Sequence, residues 1–113
     1  MKVSQGDIFW ISPNEANQIA SDYTHPHVVV QDDVPTIIVC ALTTNLDRAK
    51  APGNVLLEEG EANLPKQSVV VVSQVSTLDK THLGEYIGTL SKGRIHQVLA
   101  GMSFLHTMTQ HHE

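Results

Sequence analysis

The chain of 113 residues is 41% hydrophobic and 17% charged, which suits one soluble domain over residues 1–113 and excludes two. Its formal net charge of −5 argues against binding of nucleic acid by bulk electrostatics, although a local site could still hold a few nucleotides. No apolar run approaches the roughly 20 residues that a membrane helix needs. The start "MKVSQGDIFW" does not resemble a secretion signal, and the single cysteine, Cys40, cannot form an internal disulfide. We therefore expect a cytoplasmic protein with a buried, inert thiol.

Short runs of apolar and β-branched residues predict strands over most of the chain. The predicted strands are 7–12, 27–31, 36–42, 55–59, 67–80 and 85–90. We expect the fifth strand to leave the sheet at its "STLDK" end. The segment "DDVP" has the composition of a turn, and the polar connections 12–24 and 43–54 are long enough to be functional loops. Consecutive apolar residues in 27–31 and 36–42 indicate burial on both faces of the sheet.

The hydrophobic periodicity changes from Ser91 onward, where apolar residues recur at spacings of three and four. The residues of this stripe are Ile95, Val98, Leu99, Met102 and Leu105. The pattern predicts an amphipathic helix, and Ser91 suits its N-cap position. The tail 106–113, which contains three histidines, is expected to fray. Many short strands followed by one helix predict a mainly β fold, with the helix packed on a small antiparallel barrel.

Segments spread along nearly the whole chain carry a resemblance to a known family. They are "GDIFWI", "HPHVVVQDD", "TIIVCALTTN", "SVVVVSQVSTLDK" and "IGTLSKGRIHQVLAGMSFL". In order and spacing they resemble the MazF/PemK toxins over roughly residues 6–105. The resemblance implies an SH3-like barrel of antiparallel strands with a C-terminal α-helix, similar in fold to the gyrase poison CcdB. It further implies a homodimeric, metal-free endoribonuclease that inhibits growth by cutting single-stranded RNA at short sequences, and that an acidic antitoxin neutralises.

The resemblance also implies site residues. In members that cleave RNA, the strand after the first long loop opens with Arg-Pro and that Arg is catalytic, whereas here the dipeptide is His25-Pro26. Thr43, in "TTN", matches the second catalytic position. Gln74 matches the Gln of the late strand. The Arg-x-Asp that precedes this Gln in some members is absent, because residues 71–73 read "VVS".

The chemistry of RNA cleavage gives these residues hypothetical roles. A 2′-hydroxyl must be activated, charge on the phosphate must be stabilised, and the departing 5′-oxygen must be protonated. Histidine transfers protons well near neutrality but is not a permanent cation. We therefore predict His25 as general acid/base and phosphate contact, with Thr43 as a hydrogen-bond donor to the scissile phosphate. His27, on the same strand face, is either a secondary catalytic group or only the cap of a polar strand end.

The two polar loops are expected to form the RNA-binding groove. The candidates for base recognition are Asn14, Asn17, Gln18, Thr44 and Asn45, with Gln74 added on the resemblance. Arg48 and Lys50 either contact phosphates or belong to an ordinary solvated loop. Trp10 fits a core position better than a stacking surface. The pair His25-x-His27 lacks further ligands at metal spacing, so we expect no metal and no other cofactor.

Two other classes of function remain open. The chain could be a non-catalytic member that has lost the family's Arg and binds an antitoxin or another protein. It could also inhibit gyrase by protein–protein contact, which would depend on the end of the C-terminal helix. That end, "SFLHTMTQHHE", offers no aromatic residue at its tip.

Overall fold

The computed structural model describes residues 2–11 and 25–110. The strands are β1 (Asp7–Ile11), β2 (His25–Asp33), β3 (Thr36–Thr43), β4 (Val55–Leu57), β5 (Ser68–Asp79) and β6 (Tyr86–Thr89). The α-helix of the described residues is α1 (Lys92–Gln110), and short 3₁₀ turns occupy Leu46–Lys50, Glu61–Asn63 and Lys80–His82. The strands form a sheet in the order β4-β5-β3-β2-β1-β6, in which every neighbouring pair is antiparallel.

Irregular register bends this sheet. The pairing shifts within β1, within β2 and within β3, and opposite the shift in β3 the β5 residues 71–74 separate two paired stretches. Such bulges increase the local twist and bend the strands. The sheet therefore curls into a half-barrel with α1 packed on it, which confirms the predicted mainly β fold with a C-terminal helix.

Strand β2 is longer than predicted, and strand β5 stays in the sheet to its end. Asp32 and Asp33 pair with β3 residues, so the predicted turn "DDVP" shrinks to Val34–Pro35. The "STLD" end of β5 does not leave the sheet, because it pairs with the first half of β3. Lys80 and Asp32 join these ends, with Nζ 3.0 Å from Oδ1, and the ammonium lowers the pKa of Asp32. Strand pairing outweighs the local turn composition here.

The core has two parts, one on each face of the sheet. Ile8, Val28 and Cys40 belong to the part that α1 covers, and Phe9 and Val29 belong to the other. Neighbouring residues of β1 and β2 thus point to opposite buried faces, which confirms the two-sided burial that the apolar runs indicated. Burial raises the pKa of the Cys40 thiol to about 11, so the thiol is inert at neutral pH.

Helix α1 follows its predicted stripe and extends beyond it. All five apolar residues of the stripe pack on the first part of the core, and Ser91 Oγ accepts a hydrogen bond from the Arg94 N–H at 3.2 Å. The helix continues through His106 to Gln110, so residues 106–110 are helical where we expected fraying. Residues 111–113 lie outside the described residues. Within residues 2–11 and 25–110, no helix is both long and apolar enough to span a membrane.

An ion pair fastens the start of α1 to the loop that precedes β5. The Arg94 guanidinium donates two hydrogen bonds to Glu61, from Nε to Oε2 at 2.6 Å and from Nη2 to Oε1 at 3.1 Å. A basic residue in the first turn opposes the helix dipole, and the carboxylate of Glu61 offsets this cost. Burial alone would raise the pKa of Glu61, but the bonds from Arg94 hold it below the ordinary value.

The Glu61–Arg94 pair makes stability depend on pH. We expect Glu61→Gln to lower the free energy of unfolding by about 1 kcal/mol at neutral pH. Because the folded-state pKa of Glu61 is lowered, the contribution is present above the ordinary value of 4.5 and disappears as the pH falls through the folded value. Urea unfolding at neutral pH and at about pH 3 measures the difference. The control is Glu59→Gln, which changes an exposed neighbour. If Glu61→Gln lowered the free energy of unfolding equally at both pH values, the prediction would be contradicted.

Candidate functional site

A pocket of about 290 Å³ opens at one end of the sheet, where β1 and β3 end, β2 begins, and the loop before β5 passes. Its lining residues are Trp10, His25, Pro26, Leu42, Thr43, Thr44, Leu64, Pro65, Lys66 and Ser68. Three of the predicted site residues, His25, Thr43 and Thr44, therefore meet in one cavity. These lining residues combine an apolar wall with hydroxyl, imidazole and ammonium groups, and within the described part of the chain no carboxylate joins them.

The register of the sheet explains why these residues meet. Ile11 pairs with His25, so the end of β1 lies beside the start of β2. His27 pairs with Ala41, and two further antiparallel steps bring His25 to the level of Thr43. Thr43 in turn pairs with Val69, which places the loop before β5 on the far side of β3. Residues distant in sequence thus share one sheet end.

Two linked hydrogen bonds connect Thr43 to the turn that follows it. Its Oγ1 accepts a hydrogen bond from the Asn45 N–H at 3.1 Å. Asn45 in turn caps the turn Leu46–Lys50, because its Oδ1 accepts the Asp47 N–H at 3.2 Å. A hydroxyl that already accepts a bond still has its own hydrogen to donate. Thr43 therefore lines the pocket with a hydroxyl that can still donate a hydrogen bond.

His27 does not line the pocket, although its strand position follows that of His25 by two. Its Nδ1 lies 3.0 Å from the His25 carbonyl oxygen. Since a carbonyl only accepts, Nδ1 carries the proton. Burial lowers the pKa of His27, although its hydrogen bond with the His25 carbonyl oxygen acts in the opposite direction, so the neutral ring is favoured at pH 7. This geometry fits the second of the two alternatives for His27, in which it only caps a polar strand end.

The other predicted RNA contacts among the described residues do not line the pocket. Asn45, Arg48 and Lys50 belong to the adjacent turn and do not line the cavity. Lys50 is exposed, with Nζ 3.9 Å from Asp47 Oδ1. Gln74 is exposed on β5, within the unpaired stretch, and is likewise not part of the lining. Asn14, Asn17 and Gln18 lie outside the described residues.

Two chemically useful residues of the pocket were not predicted as site residues. Trp10 was expected in the core, but it is half-buried and its side of β1 opens onto the cavity. Lys66 lies in the loop before β5, which the sequence marks only as polar. The motif "LPK" gives no local sign of a site, because the sheet order alone brings this loop to His25. In the described residues, no three His, Cys, Asp or Glu side chains are grouped as metal ligands would be.

Comparisons with known proteins agree with this architecture. Residues 4–105 match the family described as PemK-like, MazF-like toxin of type II toxin–antitoxin systems. The chain is 30% identical over 115 residues to the endoribonuclease MazF of Staphylococcus saprophyticus, with 95% of this chain and 96% of the relative covered. It is 33% identical over 110 residues to the endoribonuclease MazF6 of Mycobacterium tuberculosis, with 90% and 95% covered.

Solved structures share the fold. A mycobacterial endoribonuclease in complex with its cognate antitoxin superposes with a TM-score of 0.72 at 17% identity, covering 91% of this chain and 93% of the other. MazF from Deinococcus radiodurans superposes with a TM-score of 0.70 at 18% identity, covering 93% and 96%. The family match spans nearly the whole chain, and both relatives are covered almost completely. The chain therefore belongs to the PemK-like, MazF-like toxins of type II toxin–antitoxin systems.

Proposed function

We propose that the chain is a toxin that cleaves single-stranded RNA as a metal-independent, sequence-specific endoribonuclease. Family membership supports the reaction class, since the curated relatives are named endoribonucleases. The observation that carries the proposal is the pocket in which His25 and Thr43 meet, at the two positions that the family resemblance marks as catalytic. A proton-transfer group and a fixed hydrogen-bond donor are two of the parts that RNA cleavage requires.

The proposed reaction is an internal transesterification. The RNA 2′-oxygen attacks the adjacent phosphorus and loses its proton, while the bond from phosphorus to the 5′-oxygen breaks and the 5′-oxygen gains a proton. The products are a 2′,3′-cyclic phosphate and a 5′-hydroxyl, with no net uptake of water. His25 carries out a proton transfer and water supplies the other, and Thr43 donates to a non-bridging phosphate oxygen as charge builds up there.

Incubation of the purified protein with a long single-stranded RNA in EDTA tests this proposal. We expect discrete cuts whose ends are cyclic phosphates and 5′-hydroxyls, at rates that vary between about pH 5.5 and about pH 8.5. Absence of cleavage by a folded, antitoxin-free protein throughout this range would contradict the proposed activity. Cleavage that EDTA abolishes would contradict metal independence.

The hydroxyl of Thr43 is expected to contribute strongly to the rate. Thr43→Val keeps the shape of the side chain but removes the donor, so kcat should fall by about 10². Thr43→Ser retains the hydroxyl and should stay close to the wild-type kcat. Because Thr43 also accepts the Asn45 N–H, thermal unfolding of both variants checks that the turn is intact. A Thr43→Val kcat equal to that of Thr43→Ser would exclude this role.

We further propose that the toxin acts in the cytoplasm as a homodimer that an acidic antitoxin inhibits. The fold of a relative solved with its cognate antitoxin supports the antitoxin, and the described pocket-lining residues, which include no carboxylate, suit an acidic segment. Several large apolar side chains are exposed in the isolated chain, which suits an oligomer. Light scattering of the purified protein, with and without the product of the adjacent gene, measures both assemblies.

A further inference from the structure

The pocket differs in charge from the chain as a whole. The chain carries a formal charge of −5, yet none of the described residues that line the pocket is Asp or Glu. The lining residues that can carry positive charge are His25 and Lys66. Among residues 2–11 and 25–110, the side chains that line this cavity thus carry no negative charge, which suits an anionic ligand.

The backbone around Lys66 is held in place from both sides. Leu64 is buried, and its carbonyl oxygen accepts the Gly60 N–H at 2.8 Å. On the other side, Ser68 Oγ donates to the Lys66 carbonyl oxygen at 3.0 Å. The loop therefore presents the Lys66 side chain to the pocket from an anchored main chain.

Two of the three carboxylates that precede Lys66 most closely in sequence already have partners. Glu58 accepts a hydrogen bond from the Gln67 side chain at 3.1 Å, and Glu61 is held by Arg94. Within residues 2–11 and 25–110, the Lys66 ammonium has neither an ion pair nor a hydrogen bond. This lysine differs from Lys50, which lies beside Asp47 and outside the lining.

We propose that Lys66 is the phosphate-binding cation of the pocket and holds an RNA phosphate beside His25 and Thr43. The inference rests on the proposed function and adds the group that the function still requires. An imidazole that accepts a proton must be neutral at that moment, so it cannot also supply permanent positive charge. A lysine ammonium is a compact, fully charged donor that suits phosphate. Lys66 thus complements His25 in a pocket that lacks an arginine.

Binding of a single-stranded DNA of mixed sequence isolates this role, because DNA lacks the attacking 2′-hydroxyl. For single strands, each phosphate contact makes the slope of log K against log salt more negative by about 0.7. We expect Lys66→Ala to make this slope less negative by about 0.7 and to weaken binding about tenfold at low salt. Lys66→Arg should retain the slope. The matched control is Lys92→Ala, which removes an exposed lysine of α1 outside the pocket lining and should leave the slope unchanged.

Parallel cleavage assays separate this inference from the proposed function. The inference is overturned if Lys66→Ala keeps the wild-type salt slope, or if its DNA affinity and salt slope match those of Lys92→Ala. This holds even if RNA is cleaved normally. If the wild type binds DNA in a Lys66-dependent way but cuts no RNA, the inference stands and the nuclease activity fails. A wild type that binds no single strand overturns the inference. Since Lys66 is exposed, its variants should match the wild-type thermal unfolding midpoint.

Discussion

His25→Ala is expected to reduce RNA cleavage by about 10²- to 10⁴-fold, the usual contribution of a positioned proton-transfer group. The side chain is exposed at the start of β2, so its removal should leave the fold and the thermal unfolding midpoint unchanged. Single-turnover cleavage of a defined RNA measures the chemical step directly. A variant that cuts at the wild-type rate would show that the proton transfer takes place elsewhere.

His25→Arg is the informative partner variant, because arginine is the residue that the family resemblance implies at this position. Imidazoles titrate near neutrality, whereas a guanidinium stays charged. If His25 transfers the proton, the variation of rate with pH near neutrality should be present in the wild type and absent from His25→Arg. His27 remains in both proteins, and burial lowers its pKa. A pH dependence that persists in the variant would therefore assign the titration to another group, with His27 the first to test.

Much of the fold could be predicted from the sequence because its signals are local. The stripe from Ile95 to Leu105 identifies α1, and the valine-rich runs identify β2 and β5. The ends of the strands could not be predicted, because pairing with a distant strand determines them. Asp32 and Asp33 have the composition of a turn but extend β2, since β3 offers them partners.

The site was predictable only where a motif marks it. His25 and Thr43 were found through the resemblance, and the antiparallel register brings them together. Lys66 was missed because its position depends on sheet order, and nothing in "LPK" encodes that. Trp10 was assigned to the core because it lies inside the first predicted strand, on the same face as Ile8. Ile8 is completely buried, but two residues later the same face opens onto the pocket.

Gly101→Ala is expected to destabilise the protein by about 2 to 4 kcal/mol, although alanine favours helix by about 1 kcal/mol. The reason is a direct approach of backbone to backbone between α1 and the turn before β4. A Cβ on Gly101 would lie well inside van der Waals contact of the Gly53 carbonyl oxygen, and one on Gly53 would lie 2.8 Å from the Gly101 carbonyl oxygen. Backbone atoms cannot rotate aside as a side chain does, so the helix and the turn must separate. Urea unfolding at neutral pH measures the loss.

Gly93→Ala is the control for this prediction, because it makes the same change in the first turns of the same helix. There the added Cβ meets nothing closer than Ser91 Oγ at 3.9 Å, so we expect stabilisation by about 0.5 to 1 kcal/mol. Stabilisation by both variants would show that α1 can move away from Gly53 at little cost. The close contact between Gly101 and Gly53 also affects the candidate site. Asn54, which follows Gly53, donates to the Arg48 carbonyl oxygen at 2.8 Å and accepts the Val72 N–H at 3.0 Å. Gly101→Ala should therefore loosen the turn beside Thr43, and its cleavage rate should fall at temperatures where the sheet is still folded.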